Sequence, residues 1–404
     1  MPKKTNSRPD GLPFPRVALV LQGGGALGSY QGGVCQGLED AGIRCDWVAG
    51  VSIGALNAAL IAGNPPGQRV ARLREFWETV CMPAYLQPTA VAADAMVDAM
   101  GGRARKALNA FNAWRAVLEG QRGFFVPRGP AAWWADAHDP SRASFYDTTP
   151  LRGTLERLVD FDRLNAGEMR VSVMAVDVHT GNLEVFDNQR GATRGRMRPE
   201  HFMASAALPP GFPPVEIAGR YYWDGGLVSN TPLSLVLSDQ PRLTTLAFQV
   251  DLWSARGPLP TNVYDAQERA KDIQYSSRTR LITDAMAAEQ QHRRIVRELL
   301  QRVPAARRRD DPLCRAVEDE AAERQFSVIH LIYQDKEWDG MSKDYEFGSL
   351  TMRDHWASGL EDVKSSLAHP SWLALPPPDV PFVTHDVHRQ VSVGPVAAKV
   401  GTSS

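Results

Sequence analysis

A chain of 404 residues, 43% hydrophobic and 23% charged, can bury a large core, in one big α/β domain or two smaller ones. Its 45 Lys and Arg against 46 Asp and Glu leave a net charge of -1, so no basic excess is present to neutralise nucleic-acid phosphates. Four cysteines (Cys35, Cys45, Cys81, Cys314) without CxxC spacing read as free thiols of a reducing compartment rather than as a disulfide framework.

The first sixteen residues are polar, basic and broken by prolines, with no apolar stretch typical of a secretory leader, so 1–15 reads as a flexible tail. Arg16 to Gln22 is a short β-branched run between prolines and glycines, a buried strand. Gly28 to Ala41 reads as a helix, Asp46 to Gly50 as a second strand and Ile53 to Ala62 as a second helix. Strand, glycine turn, helix, strand, turn, helix is the pattern of a parallel sheet covered by helices. The apolar stretch Trp47–Ala62 is too short and too interrupted to span a bilayer. A cytoplasmic, soluble chain is therefore expected, with peripheral membrane contact left open.

Residues 83–144 change character: they are alanine-rich and read as a helical insertion with helices near Val91–Met100 and Arg105–Leu118 and no obvious strand. Its Trp114, Trp133 and Trp134, with Phe124 and Phe125, suit either a lid at a lipid–water boundary or the seam where an insertion packs on a core. Strands are expected again at Met169–Val178, Leu183–Phe186, Tyr221–Trp223, Thr244–Val250 and Phe326–Tyr333. One long polar helix is expected from Asp265 to Val303. Its stripe of Ile282, Met286, Val296, Leu299 and Val303, interrupted by Glu289 and Arg293, packs internally or forms a homodimer seam. The division that follows is a catalytic domain over 16–250, a largely helical extension with one further strand over 251–370, and an extended or disordered tail over 371–404.

The chemistry concentrates in three places. Gly50-Val51-Ser52-Ile53-Gly54 is a GxSxG pattern between a strand and a helix. There Gly50 and Gly54 permit a sharp turn that exposes the serine hydroxyl at a helix N-terminus. Gly23-Gly24-Gly25-Ala26-Leu27-Gly28 follows the first strand and can aim several backbone N–H groups one way, as an oxyanion hole requires. The same GxGxxG spacing, with Asp46 downstream, is also a dinucleotide fingerprint, although that fold has no use for a GxSxG elbow just beyond the acid. Trp223-Asp224-Gly225-Gly226 closes a strand on an Asp-Gly turn, which by itself is an ordinary turn.

All three blocks in this order, with Ala204–Val215 before the last and Leu227–Pro232 after it, resemble the patatin-like phospholipases, specifically a bacterial subgroup with an extra C-terminal region. The resemblance implies an α/β three-layer sandwich with a mostly parallel sheet and helical insertions. It implies Ser52 as nucleophile and Asp224 as proton acceptor of a Ser-Asp dyad, with Gly23, Gly24, Gly25 and Ala26 supplying oxyanion donors. It implies lipid ester substrates as well. Where that family places Arg or Lys before the last glycine of the loop, this chain has Leu27, so loop electrostatics and headgroup preference do not carry over. The same dyad would serve an intracellular esterase or polyhydroxyalkanoate depolymerase, and a third reading is a non-catalytic membrane-surface protein on a hydrolase fold. Of nine histidines, His201 is the strongest candidate for a triad; His179 reads as a turn residue and His330 as a strand residue. No metal and no organic cofactor is implied, and no loop gathers the carboxylates that calcium needs.

Overall fold

The computed structural model describes residues 8–81, 97, 101–129, 139–277, 279–321, 324–377 and 380–388. The expected helix at Val91–Met100 (Val97 apart), Trp133 and Trp134 lie outside them. Eleven strands are described: β1 Arg16–Leu21, β2 Trp47–Gly50, β3 Val126–Pro127, β4 Tyr146–Asp147, β5 Arg170–Asp177, β6 Leu183–Asp187, β7 Val215–Ile217, β8 Arg220–Asp224, β9 Thr245–Asp251, β10 Phe326–Ile332 and β11 Phe382–Asp386. The helices are α1 Ser29–Asp40, α2 Ile53–Ala62, α3 Arg69–Cys81, α4 Gly102–Glu119, α5 Thr149–Leu158, α6 Phe161–Ala166, α7 Pro199–Ser205, α8 Leu233–Leu237, α9 Val263–Tyr275, α10 Thr279–Arg302, α11 Ala305–Asp310, α12 Pro312–Glu320 and α13 Ser349–Leu367.

The central sheet runs β11-β10-β9-β1-β2-β5-β8-β7, with β6 also on β5. From β11 to β5 every pairing is parallel; β6 and β8 run against that direction, and β7, antiparallel to β8, returns to it. Strand parity decides the two layers. Val17, Leu19 and Leu21 of β1 face the larger core, with α1, α2 and α13, whereas Ala18 and Val20 face the smaller one beneath α8. Strands buried on both faces need apolar residues at every position, which is why β1 reads as a continuous run. This is the mixed α/β sandwich expected.

Four expectations change. Residues 8–15 are not loose: Phe14 is in the core and Arg8 pairs with Asp10 and Asp46. The insertion contains β3, antiparallel to β4 just beyond it; Val126 and Pro127 gave no strand pattern because the pairing is two residues long. The long helix is two. Ser276 leaves α9 in an extended conformation, and the Tyr275 carbonyl, released from helical bonding, accepts from the side chains of Gln22 and Asn230. The tail after Pro370 supplies β11, parallel to β10. Gln325 donates to the carbonyls of Pro376 and Pro377, the second of which also accepts the Val380 N–H at 2.8 Å, and these bonds fix the approach to the strand. The C-terminal region thus lengthens the central sheet with two strands, and α13 lies along α1, where Gly33 and Gly359 allow backbones to touch: a Cβ on either would sit 1.9 or 2.1 Å from a carbonyl oxygen of the other helix.

Candidate active site

Parallel strands present their C-terminal ends at one edge, and the three sequence blocks meet there. The loop Gly23–Gly28 leaves β1, and Ser52 leaves β2. Register then sets the height of Asp224: Gly50 pairs with Val173 on β5, and Ala175, two residues on, pairs with Asp224 on β8. Asp224 therefore stands level with Ser52.

Ser52 has φ 57° and ψ -127°, a conformation that a non-glycine residue holds only when its surroundings enforce it. The enforcement is visible. A Cβ on Gly50 would lie 2.3 Å from the Gly54 carbonyl oxygen, and one on Gly54 would lie 2.4 Å from that of Leu21. Ser205 Oγ accepts the Ser52 N–H at 3.1 Å and donates to the Met174 carbonyl at 2.7 Å, tying the turn to β5. Ser52 begins α2, whose N-terminal dipole favours negative charge at this point.

Asp224 is 1% exposed. Its Oδ1 accepts the Gly226 N–H at 2.7 Å, and its carboxylate is within hydrogen-bonding reach of the Ser52 hydroxyl. Burial outweighs those bonds and pushes its pKa up to about 7. Gly225 is needed for close approach, since a Cβ there would sit 2.4 Å from the Met174 carbonyl oxygen.

The glycine loop packs directly on the elbow. A Cβ on Gly23 would come within 2.9 Å of Ser52 Cβ, and one on Gly28 within 2.6 Å of Ile53 Cγ1. Two of the four expected donors are already engaged. Gly23 N–H donates to the Asn230 carbonyl at 3.2 Å, and Ala26 N–H to the Asp344 carbonyl at 2.7 Å. Gly24 and Gly25 keep N–H groups without an acceptor among the described residues, and so does Ile53 at the start of α2. Open N–H groups are thus fewer than the loop's composition suggests, and one of them belongs to the residue after the serine.

These groups line one cavity of about 360 Å³. Phe124, Phe125, Tyr146, Phe212 and Phe347 form its aromatic wall, with ring centroids 4.9–6.2 Å apart. Phe124 and Phe125 therefore fill the seam where the insertion packs on the core, and they also face the cavity. Trp114 is 60% exposed and does not line the cavity. Trp253, Tyr275 and Tyr345 line it as well.

Among the described residues no histidine lines this cavity. His201 Nδ1 accepts the Arg198 N–H at 2.9 Å, capping its own helix, while its ring packs on Phe186 at 4.8 Å. His179 is in a turn held by Asp177, and His330 is buried on β10 against Asp251. The dinucleotide reading fails on position: Asp46 precedes β2, at the sheet edge opposite the glycine loop, and binds Arg8 and the Val17 N–H.

Several site residues had no flag. Asn230 donates from Nδ2 to the carbonyls of Gly23 and Tyr275, at 3.0 and 2.8 Å, and so fastens the loop to the break between α9 and α10. It lies inside the block Leu227–Pro232, so its position was a signal. Ser205 likewise lies inside Ala204–Val215. Asp344, Tyr345 and Phe347 carried no signal, because only folding brings that segment back across the sheet.

A family model described as "Patatin-like phospholipase" matches residues 19–237, and one described as "Patatin phospholipase" matches residues 273–379. "Lysophospholipase nte1" of Aspergillus terreus is 59% identical over 46 residues, 11% of this chain and 3% of that protein. An uncharacterized NTE family protein of Mycobacterium tuberculosis is 26% identical over 224 residues, 55% of this chain and 28% of the other. The human "Patatin-like phospholipase domain-containing protein 6" is 40% identical over 72 residues, 18% and 5% of the two chains. The matches thus span no more than about a quarter of these relatives' own lengths. Among solved structures, VipD from Legionella pneumophila aligns over 88% of this chain and 69% of its own, at 14% identity and a TM-score of 0.36.

Proposed function

The chain belongs to the patatin-like phospholipase family, and from that premise we propose that it hydrolyses carboxylic esters of lipids, phospholipids or lysophospholipids among them, by acyl transfer to Ser52. The observation that carries the reading is Asp224: a buried carboxylate raised to about 7, within reach of the Ser52 hydroxyl, at the floor of an apolar cavity. A carboxylate in water, near pKa 4, is a poor base for a serine; one near 7 is matched to proton transfer at neutral pH.

The steps follow from position. Asp224 takes the Ser52 proton as Oγ attacks the acyl carbonyl. The tetrahedral oxyanion receives hydrogen bonds from Gly24, Gly25 and Ile53 N–H groups and the field of α2. Protonated Asp224 returns its proton to the departing alkoxide, leaving acyl-Ser52, and then deprotonates the water that releases the acid. No imidazole is required. Ser205 and Asn230 act as positioning residues for the elbow and the loop.

Labelling with a fluorophosphonate probe tests this. The wild-type chain should label at Ser52, and Ser52→Ala should neither label nor turn over a p-nitrophenyl ester. Labelling at another serine, or wild-type turnover by the folded Ser52→Ala chain, would remove the proposal.

A further inference from the structure

Helix α4 carries two opposed faces. Arg105, Asn109, Ala113 and Ala116 point inward. Ala107, Ala110, Phe111, Trp114, Val117 and Leu118, at the spacing of a single helical face, point to solvent. Phe111, Trp114, Val117 and Leu118 are 47–60% exposed, and the Phe111 and Trp114 rings lie 6.3 Å apart. The stripe runs about 16 Å along the helix. Val126, just beyond α4, extends it. Contiguous apolar surface of this kind on a soluble domain marks an interaction site.

Two further observations identify the partner. Val117 belongs both to the stripe and to the wall of the catalytic cavity, so whatever covers the stripe meets the cavity. The exposed charge that segment 102–128 itself carries is mostly basic: Arg103, Lys106 and Arg122 are exposed, and its one acidic residue, Glu119, is paired with Arg115 at 3.4 Å, while Asp265 and Glu268 of α9 share a neighbouring hollow with Lys106. A helix with an apolar face and a basic flank suits the surface of an anionic bilayer, where rings enter the acyl boundary and cations meet phosphates.

We infer that the outer face of α4 is a docking surface for an anionic lipid membrane, seated so that acyl chains enter the cavity past Val117. The inference rests on the ester-hydrolase reading of that cavity for its direction of approach. The full chain carrying Ser52→Ala, which cannot consume the lipid, is sedimented with vesicles of phosphatidylcholine and with vesicles of equal phosphatidylcholine and phosphatidylglycerol. Binding should favour the anionic vesicles and weaken as salt rises. Adding Phe111→Ser with Trp114→Ser should lower binding to them at least about tenfold. Arg103→Glu with Lys106→Glu should abolish the preference for anionic lipid. In the Ser52 background, all four substitutions should leave p-nitrophenyl butyrate hydrolysis at the wild-type rate, since none touches the cavity.

Vesicle binding unaffected by both pairs would overturn the inference. So would a dimer in solution that Phe111→Ser with Trp114→Ser dissociates, without any vesicle binding; the stripe would then cover a second copy of the chain. Failure of the wild type to cleave the soluble ester, with vesicle binding intact, would instead sink the hydrolase reading and leave the docking surface standing.

Discussion

Replacing Asp224 by Asn should make the protein more stable at alkaline pH while destroying its activity. Burial raises this carboxyl from 3.8 to about 7, so the folded state carries a penalty for its charge that the unfolded chain does not. A folded pKa above the unfolded one means that the native state binds the extra proton. Stability then falls as pH rises between about 4 and 7, and the full penalty applies above about 7. At 1.36 kcal/mol per pKa unit the upper bound is about 4 kcal/mol, or about 5 °C in Tm for a chain of this length. Asn keeps the oxygen that accepts from Gly226 N–H and presents an amide to Ser52, so little else is lost. Melting curves of both proteins, taken from about pH 3.5 to about pH 8.5, should converge at the acid end and separate at the alkaline end with the variant higher. A gap independent of pH, or a variant less stable above about pH 7.5, would show that Asp224 is not held against its charge, and the account of its basicity would go with it.

Turnover of wild type should fall on the acid side of about pH 7, where Asp224 becomes protonated, and a pH–rate profile of kcat/KM on a p-nitrophenyl ester would reveal it. Asp224→Asn should lower turnover by about two to four orders of magnitude, with His201→Ala near wild type once its folding is verified; the reverse ranking would install a histidine base. Gly25→Val should abolish turnover, because Gly25 has φ 55° and its Cβ would lie 2.0 Å from the Asp344 carbonyl oxygen; a calorimetric search for NAD or FAD binding to wild type should find none. Along a p-nitrophenyl ester series, kcat/KM should rise from acetyl to longer chains, by up to about 0.8 kcal/mol per buried methylene, until the aromatic wall is filled. Cleavage confined to acetyl, butyryl or hydroxybutyrate esters would leave the dyad and replace the lipid substrate by a short ester or polyester.

The positions of Ser52, Asp224 and the glycine loop were legible because each is local: a strand, a tight turn and a short motif determine where the side chain goes. The parallel core was legible for the same reason, since Val17–Leu21 and Trp47–Gly50 have no polar face to alternate. What the sequence hid was nonlocal. Nothing in the polar, helix-compatible run before Tyr275 signals that α9 ends there, because the ending depends on Gln22 and Asn230, 253 and 45 positions away. Nor could composition separate a spent N–H from an open one in the loop, because Ala26 is satisfied by a carbonyl at Asp344. The proline-rich segment after Pro370 lacked strand character in itself and becomes a strand through β10.

The Ala26–Asp344 bond has a consequence for how such chains should be divided. The two matched segments, 19–237 and 273–379, are separate in sequence, yet the second holds one end of the first's glycine loop and supplies Tyr345 and Phe347 to its cavity. Between them lies β9, which pairs with β1 on one side and β10 on the other. A fragment ended near residue 240 would leave β1, the strand that launches the loop, as a bare edge, with apolar surface on both faces and unpaired backbone groups inviting aggregation. Insoluble expression of that fragment would say nothing about its chemistry, and a bioinformatic boundary drawn there passes through the middle of one working part.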